Sequence, residues 1–311
     1  MDRTEIEAAL ASATNLHELV LQTESLLDAS ALYFGHGTDN ALDEAAYLVS
    51  YSMGLPPDFD DQDLQRQATA EQKQQLADLL WQRIRTRKPA AYLTHEAWFA
   101  GLKFYVDERV LIPRSPFAEL IADQFEPWVD SSKLQHALDL CTGGGCIAIA
   151  MAEALPQARV DASDVSAEAL AVARINVDQY DLADRVELIE SDLFAALGGR
   201  RYDLIVSNPP YVDADDMAEL PEEYRHEPAM GLAAGMQGLD FVLPMLREAP
   251  QHLNPGGVLI VEVGNSADAL ADLLPDVPFT WLEFEFGGHG VFLLTAEQLT
   301  VASEAIRAVQ V

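Results

Sequence analysis

Asn208-Pro209-Pro210-Tyr211 follows directly on the apolar run YDLIVS, residues 202–207. Each proline fixes its own φ and pushes the residue before it into extended backbone. Asn208 and Pro209 are therefore held rigid and extended at the end of the strand that this run predicts. The prolines also leave carbonyls with no competing N–H nearby. This arrangement suits an amide or exocyclic aromatic nitrogen, which has two N–H donors and a delocalised lone pair. The Asn208 side-chain oxygen and the Pro209 carbonyl can accept one N–H each, and Tyr211 can lay its ring on the flat group. The nitrogen is then aimed for in-line displacement at a carbon. Positioning of this kind is worth on the order of 7–11 kcal/mol in favourable cases. No strong general base is needed, because the proton becomes acidic once the nitrogen is alkylated.

A second constellation lies upstream in DLCTGGGCIAIA, residues 139–150. Asp139 closes a strand-like run, and Gly143, Gly144 and Gly145 turn the chain into a helix-like one. Glycine belongs where backbone takes positive φ or lies against a ligand. The spacing differs from the dinucleotide pattern G-x-G-x-x-G, and no Gly-Lys-Ser/Thr of a P-loop follows. A carboxylate at a strand end suits a cationic amino group. Asp164, about 20 residues beyond the turn, is placed to take a pair of ribose hydroxyls. Asp192, in SDLF, can accept from an adenine amino group. One acid at a strand end is usually a helix cap. Three at successive strand ends line the edge where open α/β sheets bind ligands, and the ligand they imply is S-adenosylmethionine, whose methyl would be the carbon attacked.

The elements that must position these residues are legible as periodicities. Residues 136–140, 159–163, 185–189, 202–207 and 257–263 read as strands, alternating with helical runs at 146–155, 167–180 and 239–253. That alternation predicts a parallel sheet with helices on both faces. Residues 281–286 and 291–295 read as a closing antiparallel pair. Before them, Thr4–Leu10, Leu16–Ala31, Ala41–Met53 and Thr69–Thr86 show apolar residues at helical spacing, with Asn15 and Thr69 as N-caps. LPPDFDDQD (55–63) reads as a loop, Ala91 to Val110 as a β-hairpin around Gly101, and Phe117–Val129 as a helix. The domains expected are a helical substrate-recognition domain over 1–90, a hairpin linker over 91–112 and a catalytic domain over 113–311.

Charge excludes some partners. The 311 residues include 51 acidic and 19 basic ones, a formal net charge of −32. Grip on nucleic acid or an anionic membrane rests on Lys and Arg, so no direct nucleic-acid or membrane partner is expected, and a basic protein partner is. Acids crowd the stretch 212–228, which reads as a loop over the site and an electrostatic guide for such a partner. Arg83, Arg85, Arg87 and Lys88 form the one basic cluster, read as structural at a helix end. Cys141 and Cys146 have no further ligands at metal spacing, so no metal and no disulfide framework are expected. The first ten residues lack the features of a signal peptide, and a reduced, cytoplasmic setting follows as the expectation.

On the Gly-rich turn and the Asn-Pro-Pro-Tyr turn together, the second domain resembles class I S-adenosylmethionine-dependent methyltransferases. The pairing of DLCTGGGCIAIA with SNPPY is similar to the HemK family of N5-glutamine methyltransferases. The link IPRSPFAEL (112–120) and the Cys-Thr pair resemble the branch acting on large-subunit ribosomal protein L-three more than the release-factor branch. Gly144 departs from the family, where serine is usual. The resemblance implies a Rossmann-like α/β fold with a seven-stranded sheet and methylation of a glutamine amide on that ribosomal protein, and the acidic charge favours the free protein, before ribosome assembly. It implies that Asp139, Gly143 and Gly145 hold the methionine part, with Cys141, Thr142, Val165 and Asn208 also at the cofactor. Asp164 would take the ribose, and Asp192 with Leu193 the adenine edge. Asn208, Pro209, Pro210 and Tyr211 would hold the glutamine, with Phe104 and Arg114 at the pocket border. The alternatives are the same reaction on release factors, methylation of adenine N6 or cytosine N4 in DNA, and a non-catalytic adaptor.

Overall fold

A computed structural model describes residues 1–56 and 59–309. These divide into two compact units. The first comprises Met1–Ala97 with Pro221–His226, and the second Trp98–Leu220 with the described residues from Glu227 onward.

The first unit is helical: α1 (Arg3–Ala11), α2 (Leu16–Asp28), α3 (Ala41–Met53), α4 (Ala70–Thr86) and α5 (Ala90–Thr94). The N-caps are local chemistry. Asn15 accepts from the Glu18 amide, and Thr69 forms a reciprocal capping box with Gln72. Ile6, Leu10, Leu19, Leu48, Leu76 and Leu80 bury one stripe of each helix in a common core. The 55–63 loop includes two residues outside the described set. Residues 91–94, read as the start of the hairpin, belong instead to the short helix α5. Pro89 has no N–H to lose at its start, and His95 in the left-handed conformation ends it.

Buried charge ties the segment Pro221–His226 into this unit. The Arg83 guanidinium is 1% exposed and donates to both Glu44 oxygens, at 2.7 and 3.3 Å. Arg87 reaches the fully buried Glu223 at 2.7 Å, and the Tyr33 amide donates to the same carboxylate at 2.9 Å. Burial by itself would raise the Glu223 carboxyl; the bonds from Tyr33 and Arg87 outweigh it and hold it below the usual range. Arg83 and Arg87 of the basic cluster have structural partners. Glu223, expected in a solvated guide, is instead buried against Arg83 and Arg87, while Glu222 stays exposed 3.5 Å from Arg87.

The hairpin strands β1 (Glu96–Phe99) and β2 (Leu102–Tyr105) turn at Ala100-Gly101, both at positive φ, and the division between the units falls within β1. The second unit then continues α6 (Phe117–Ala122), β3 (His136–Leu140), α7 (Cys146–Ala154), β4 (Arg159–Asp164), α8 (Ala167–Gln179), β5 (Val186–Glu190), β6 (Tyr202–Ser207), α9 (Ala214–Glu219), α10 (Val242–His252), β7 (Leu253–Glu262), α11 (Ala267–Leu273), β8 (Thr280–Trp281), β9 (Val291–Thr295) and α12 (Ala296–Ala308). The sheet order is β5-β4-β3-β6-β7-β9-β8, parallel except for β9, which runs antiparallel to β7 and β8. The Rossmann-like α/β class and the seven strands agree with expectation.

Three local readings differ. α6 stops at Ala122 because Gln124 and Phe125 take positive φ. β8 is two residues long, not six. The chain does not close on the antiparallel pair: Thr295 and Gln298 form a capping box that starts α12.

Alternation along the strands divides the core. Leu204 and Val206 of β6, and Val258 and Ile260 of β7, face one layer, while Ile205, Leu259 and Val261 face the other. β3 pairs with both β4 and β6. Strand order therefore reverses there, and the crevice for a ligand opens beyond the C-terminal ends of β3 and β6.

Candidate active site

The Gly-rich turn lies at that crevice. Leu138 and Leu140 of β3 face one core layer, so Asp139 faces the other, beneath α7. Its Oδ2 accepts from Thr142 Oγ1 at 2.5 Å and from the Ala148 amide at 3.0 Å. Its Oδ1 is buried and has no hydrogen-bond partner. Burial pushes this carboxyl up to about 7; the bonds from Thr142 and Ala148 oppose the shift and the Asp164 charge adds to it. Gly145 has φ +80, and a Cβ there would stand 3.1 Å from the Ala173 Cβ on α8. Glycine is thus required for the approach of the turn to α8. At Gly143, also at positive φ, a Cβ would meet nothing within 4 Å, so the turn faces open space.

Asp164, the last residue of β4, is tied into the same turn. One oxygen accepts from the Gly143 amide at 2.8 Å and the other from the Ser166 amide at 2.9 Å. Burial raises its carboxyl above the usual range against those backbone bonds. A residue that periodicity did not single out completes the support. Asn176 on α8 donates to the Gly144 carbonyl at 2.8 Å and to the Tyr105 carbonyl at 3.1 Å, and accepts from the Tyr105 amide at 2.8 Å. The carbonyl of the departing residue, Gly144, is held in this way. At Gly144 a Cβ would make ordinary contact with Val110, so glycine there is not demanded by space.

Asn208 begins one residue past the rung Leu140–Ser207–Val261 that joins β3, β6 and β7. Ser207 Oγ donates to the Leu140 carbonyl at 2.5 Å and locks the two strand ends together. Asn208 and Pro210 remain partly exposed, and Pro209 is buried. Tyr211 is fixed at three points. Its hydroxyl donates to Glu262 Oε1 at 3.1 Å, and its carbonyl accepts from Ser266 Oγ at 2.8 Å. Its ring lies on Gly264, where a Cβ would come within 2.5 Å of it.

Glu262 is the functional candidate that sequence reading missed. It ends β7, in the same place on its strand as Asp164 on β4. It is buried, and its second oxygen accepts from Ser115 Oγ in the link at 2.6 Å. Burial pushes it up to about 7, opposed by the bonds from Ser115 and Tyr211 and by the Arg114 charge. Arg114 itself pairs through both terminal nitrogens with the buried Glu227, at 2.6 Å each. The 286–290 turn backs this corner: Gly288 sits on Pro116, and the Val263 amide donates to the Gly290 carbonyl at 2.7 Å.

The remaining candidates are dispersed in character. Asp192 and Val165 are exposed, and Leu193 takes positive φ just past β5. Thr142 is buried in the turn. Phe104 is buried with its ring beside Tyr180, a packing position in the core. Burial raises both thiols, Cys146 to about 12, as expected of packing residues. Among the described residues no His/Cys/Asp/Glu group could hold a metal ion, and no helix is long and apolar enough to cross a membrane.

The family model for the methyltransferase small domain matches residues 119–222, from α6 through the Asn-Pro-Pro-Tyr turn and past α9. A ribosomal protein uL3 glutamine methyltransferase of Neisseria meningitidis serogroup B is 50% identical over 92% of this chain and 94% of its own. The protein of that name from Neisseria gonorrhoeae is 48% identical over 92% of this chain and 96% of its own. The chain belongs to this family of glutamine methyltransferases. Among solved structures, a methyltransferase from Pyrococcus furiosus has a TM-score of 0.45 at 22% identity, covering 63% of this chain and 89% of that one. For a member of this methyltransferase family, the corner joining the end of β7, the link and the Asn-Pro-Pro-Tyr turn is the part that motif reading had left undescribed.

Proposed function

We propose that this protein transfers the methyl group of S-adenosylmethionine to the side-chain amide nitrogen of a glutamine on ribosomal protein uL3. The observation that carries the reading is the Asn208-Pro209 pair at the strand-order reversal, beside a turn built to hold a cationic ligand. The residues of that turn fit the cofactor. The buried, unpartnered oxygen of Asp139 is an acceptor that an ammonium group would fill, and Gly143 leaves room above the turn. Asp139, Cys141, Thr142, Gly143 and Gly145 hold the methionine end. Asp164 and Val165 take the ribose, and Asp192 and Leu193 the adenine edge. When bound, the cofactor supplies a methyl on a sulfonium sulfur.

The protein's own part is orientation. Asn208 Oδ1 and the Pro209 carbonyl accept the two amide N–H groups, and Pro210 keeps the turn stiff. Tyr211, held by Glu262, forms a wall of fixed position. The accepted N–H bonds draw density onto the nitrogen, and once methylated it loses one proton to water. Catalysis on this account is placement, the largest contribution available without a base. The helical unit over residues 1–90 selects the substrate, and the acidic surface favours the free, basic ribosomal protein over assembled, RNA-rich particles.

The test offers purified uL3, a release factor and duplex DNA to the enzyme with labelled cofactor. The reading expects label on uL3 alone. Label on the release factor would keep the chemistry and overturn the substrate, and label on DNA would overturn both.

A further inference from the structure

We propose that Glu262 is a positioning residue for this transfer, acting through Tyr211. The inference rests on the assignment of Asn208-Pro209-Pro210-Tyr211 as the amide-holding turn. Three separate stretches of chain meet at one buried carboxylate. Ser115 of the link donates to one oxygen at 2.6 Å, Tyr211 of the turn donates to the other at 3.1 Å, and Glu262 itself ends β7. A buried carboxylate with two donors is not an economical way to fill a core. A leucine there would pack without any charge to bury. What the carboxylate adds is direction: an acceptor aimed at the tyrosine hydroxyl.

The ring needs that direction. It rests on Gly264 and has its carbonyl tied by Ser266, both contacts at the base of the residue, whereas a bond at the hydroxyl acts on the tilt of the far end. Ser115 then joins the tyrosine to the link, which Arg114 and Glu227 clamp from the other side with paired bonds of 2.6 Å. The link, the turn and the strand end therefore move as one piece.

The geometry also makes the corner sensitive to protonation. Both hydroxyls donate, so the carboxylate form satisfies both at once. The acid form has one oxygen turned donor, and one of the two bonds must reverse or break. The groups facing Glu262 are Ser115 and Arg114 from the link and Tyr211 from the turn, with Glu227 neutralising Arg114. Its carboxyl stands raised to about 7, so the acid form gains as pH falls below neutral.

The experiment compares Glu262→Gln, Glu262→Ala and Tyr211→Phe with the wild type. It measures kcat and KM for uL3 across pH 6–9, together with cofactor affinity by calorimetry. Glutamine keeps an acceptor for Tyr211 and can donate to Ser115, without titrating. The expected results are that Glu262→Ala and Tyr211→Phe each lose about ten- to a hundredfold in kcat/KM, a range set by one lost buried hydrogen bond. A Glu262→Ala/Tyr211→Phe double variant, measured beside them, loses no more than Glu262→Ala alone, because that substitution already removes the Tyr211 bond. Cofactor affinity stays within about twofold, since the cofactor turn is a separate structure. Wild-type kcat/KM falls as pH drops through about 7, and Glu262→Gln recovers the activity at pH 8 without that fall. A folded Glu262→Ala with wild-type constants, or a Glu262→Gln that keeps the same inflection in kcat at saturating cofactor, where Asp139 is covered by its ligand, would overturn the inference. Absence of glutamine methylation by the wild type would instead overturn the assignment on which it rests.

Discussion

The hydroxyl of Tyr211 donates to Glu262 at the end of β7, 3.1 Å away and 51 positions later in the chain. Through this bond the fifth strand of the sheet takes part in holding the turn that follows the fourth. At the base of the residue, the ring lies on Gly264 and the carbonyl accepts from Ser266.

Gly264→Ala should test the platform from below. A methyl at this position, where φ is +45, would stand 2.5 Å from the tyrosine ring. The ring must tilt away. The expected outcome is a loss of kcat/KM of about tenfold or more, with cofactor affinity retained. Steady-state kinetics alongside calorimetry would check it, and equal loss in both would show the two sites to be one.

Roles at the two turns separate by substitution. Asn208→Ala removes an acceptor for the amide and should depress kcat severely while cofactor binding survives. Asp164→Ala should weaken cofactor binding by about 1.5–3 kcal/mol, the usual worth of charged hydrogen bonds. Its carboxylate also ties the Gly143 amide, so loosening of the turn acts in the same direction. Calorimetric titration of each variant is the check.

Stability should carry the signature of Asp139. Its carboxyl is raised from 3.8 to about 7, so the folded protein keeps a proton that the unfolded chain releases. Stability therefore falls as pH rises between those values and levels off above them. Asp139→Asn should remove a slope of up to about 1.4 kcal/mol per pH unit from urea melts in that window. An unchanged slope would mean that the group titrates normally.

Glu223→Ala should destabilise the helical unit by about 1–3 kcal/mol, because it leaves the Tyr33 amide and Arg87 without their buried acceptor, while Arg83 keeps Glu44 and Arg87 keeps Glu222. Glu223 is held below the usual range, so its contribution is present at neutral pH and lost on acidification. Of the other acids of this stretch, Asp215, Asp216 and Glu219 lie on α9 and keep solvent access. Neutralising these three should raise KM for a basic substrate at low salt and leave it unchanged at high salt.

Much of the catalytic unit was readable because strand and helix periods alternate cleanly, and because glycine and proline act locally. The conformation of Gly145 and, in the helical unit, the caps at Asn15 and Thr69 depend on neighbours within a few residues. Glu262 was hidden by its setting. It ends an apolar run whose burial suggests packing, and its partners lie in two distant segments. Glu223 was misread for the same reason: among seven acids it looked solvated, and its partners Arg83 and Arg87 are far away in sequence. α12 was legible in principle, since Thr295 and Gln298 spell a capping box, but a strand runs directly into it. The short helix at 90–94 shows the hairpin reading of residues 91–94 overridden by the start that Pro89 provides.

The central claim is that Asn208 and Pro209 hold a glutamine amide for methylation. Its most direct measurement is fragment-ion mass spectrometry of uL3 after incubation with the enzyme and S-adenosylmethionine, with Asn208→Ala run beside the wild type. The account predicts one methyl group on the side-chain nitrogen of a single glutamine, absent with the variant although that variant still binds the cofactor. Methyl on lysine or arginine, or an unchanged yield from Asn208→Ala, would contradict it.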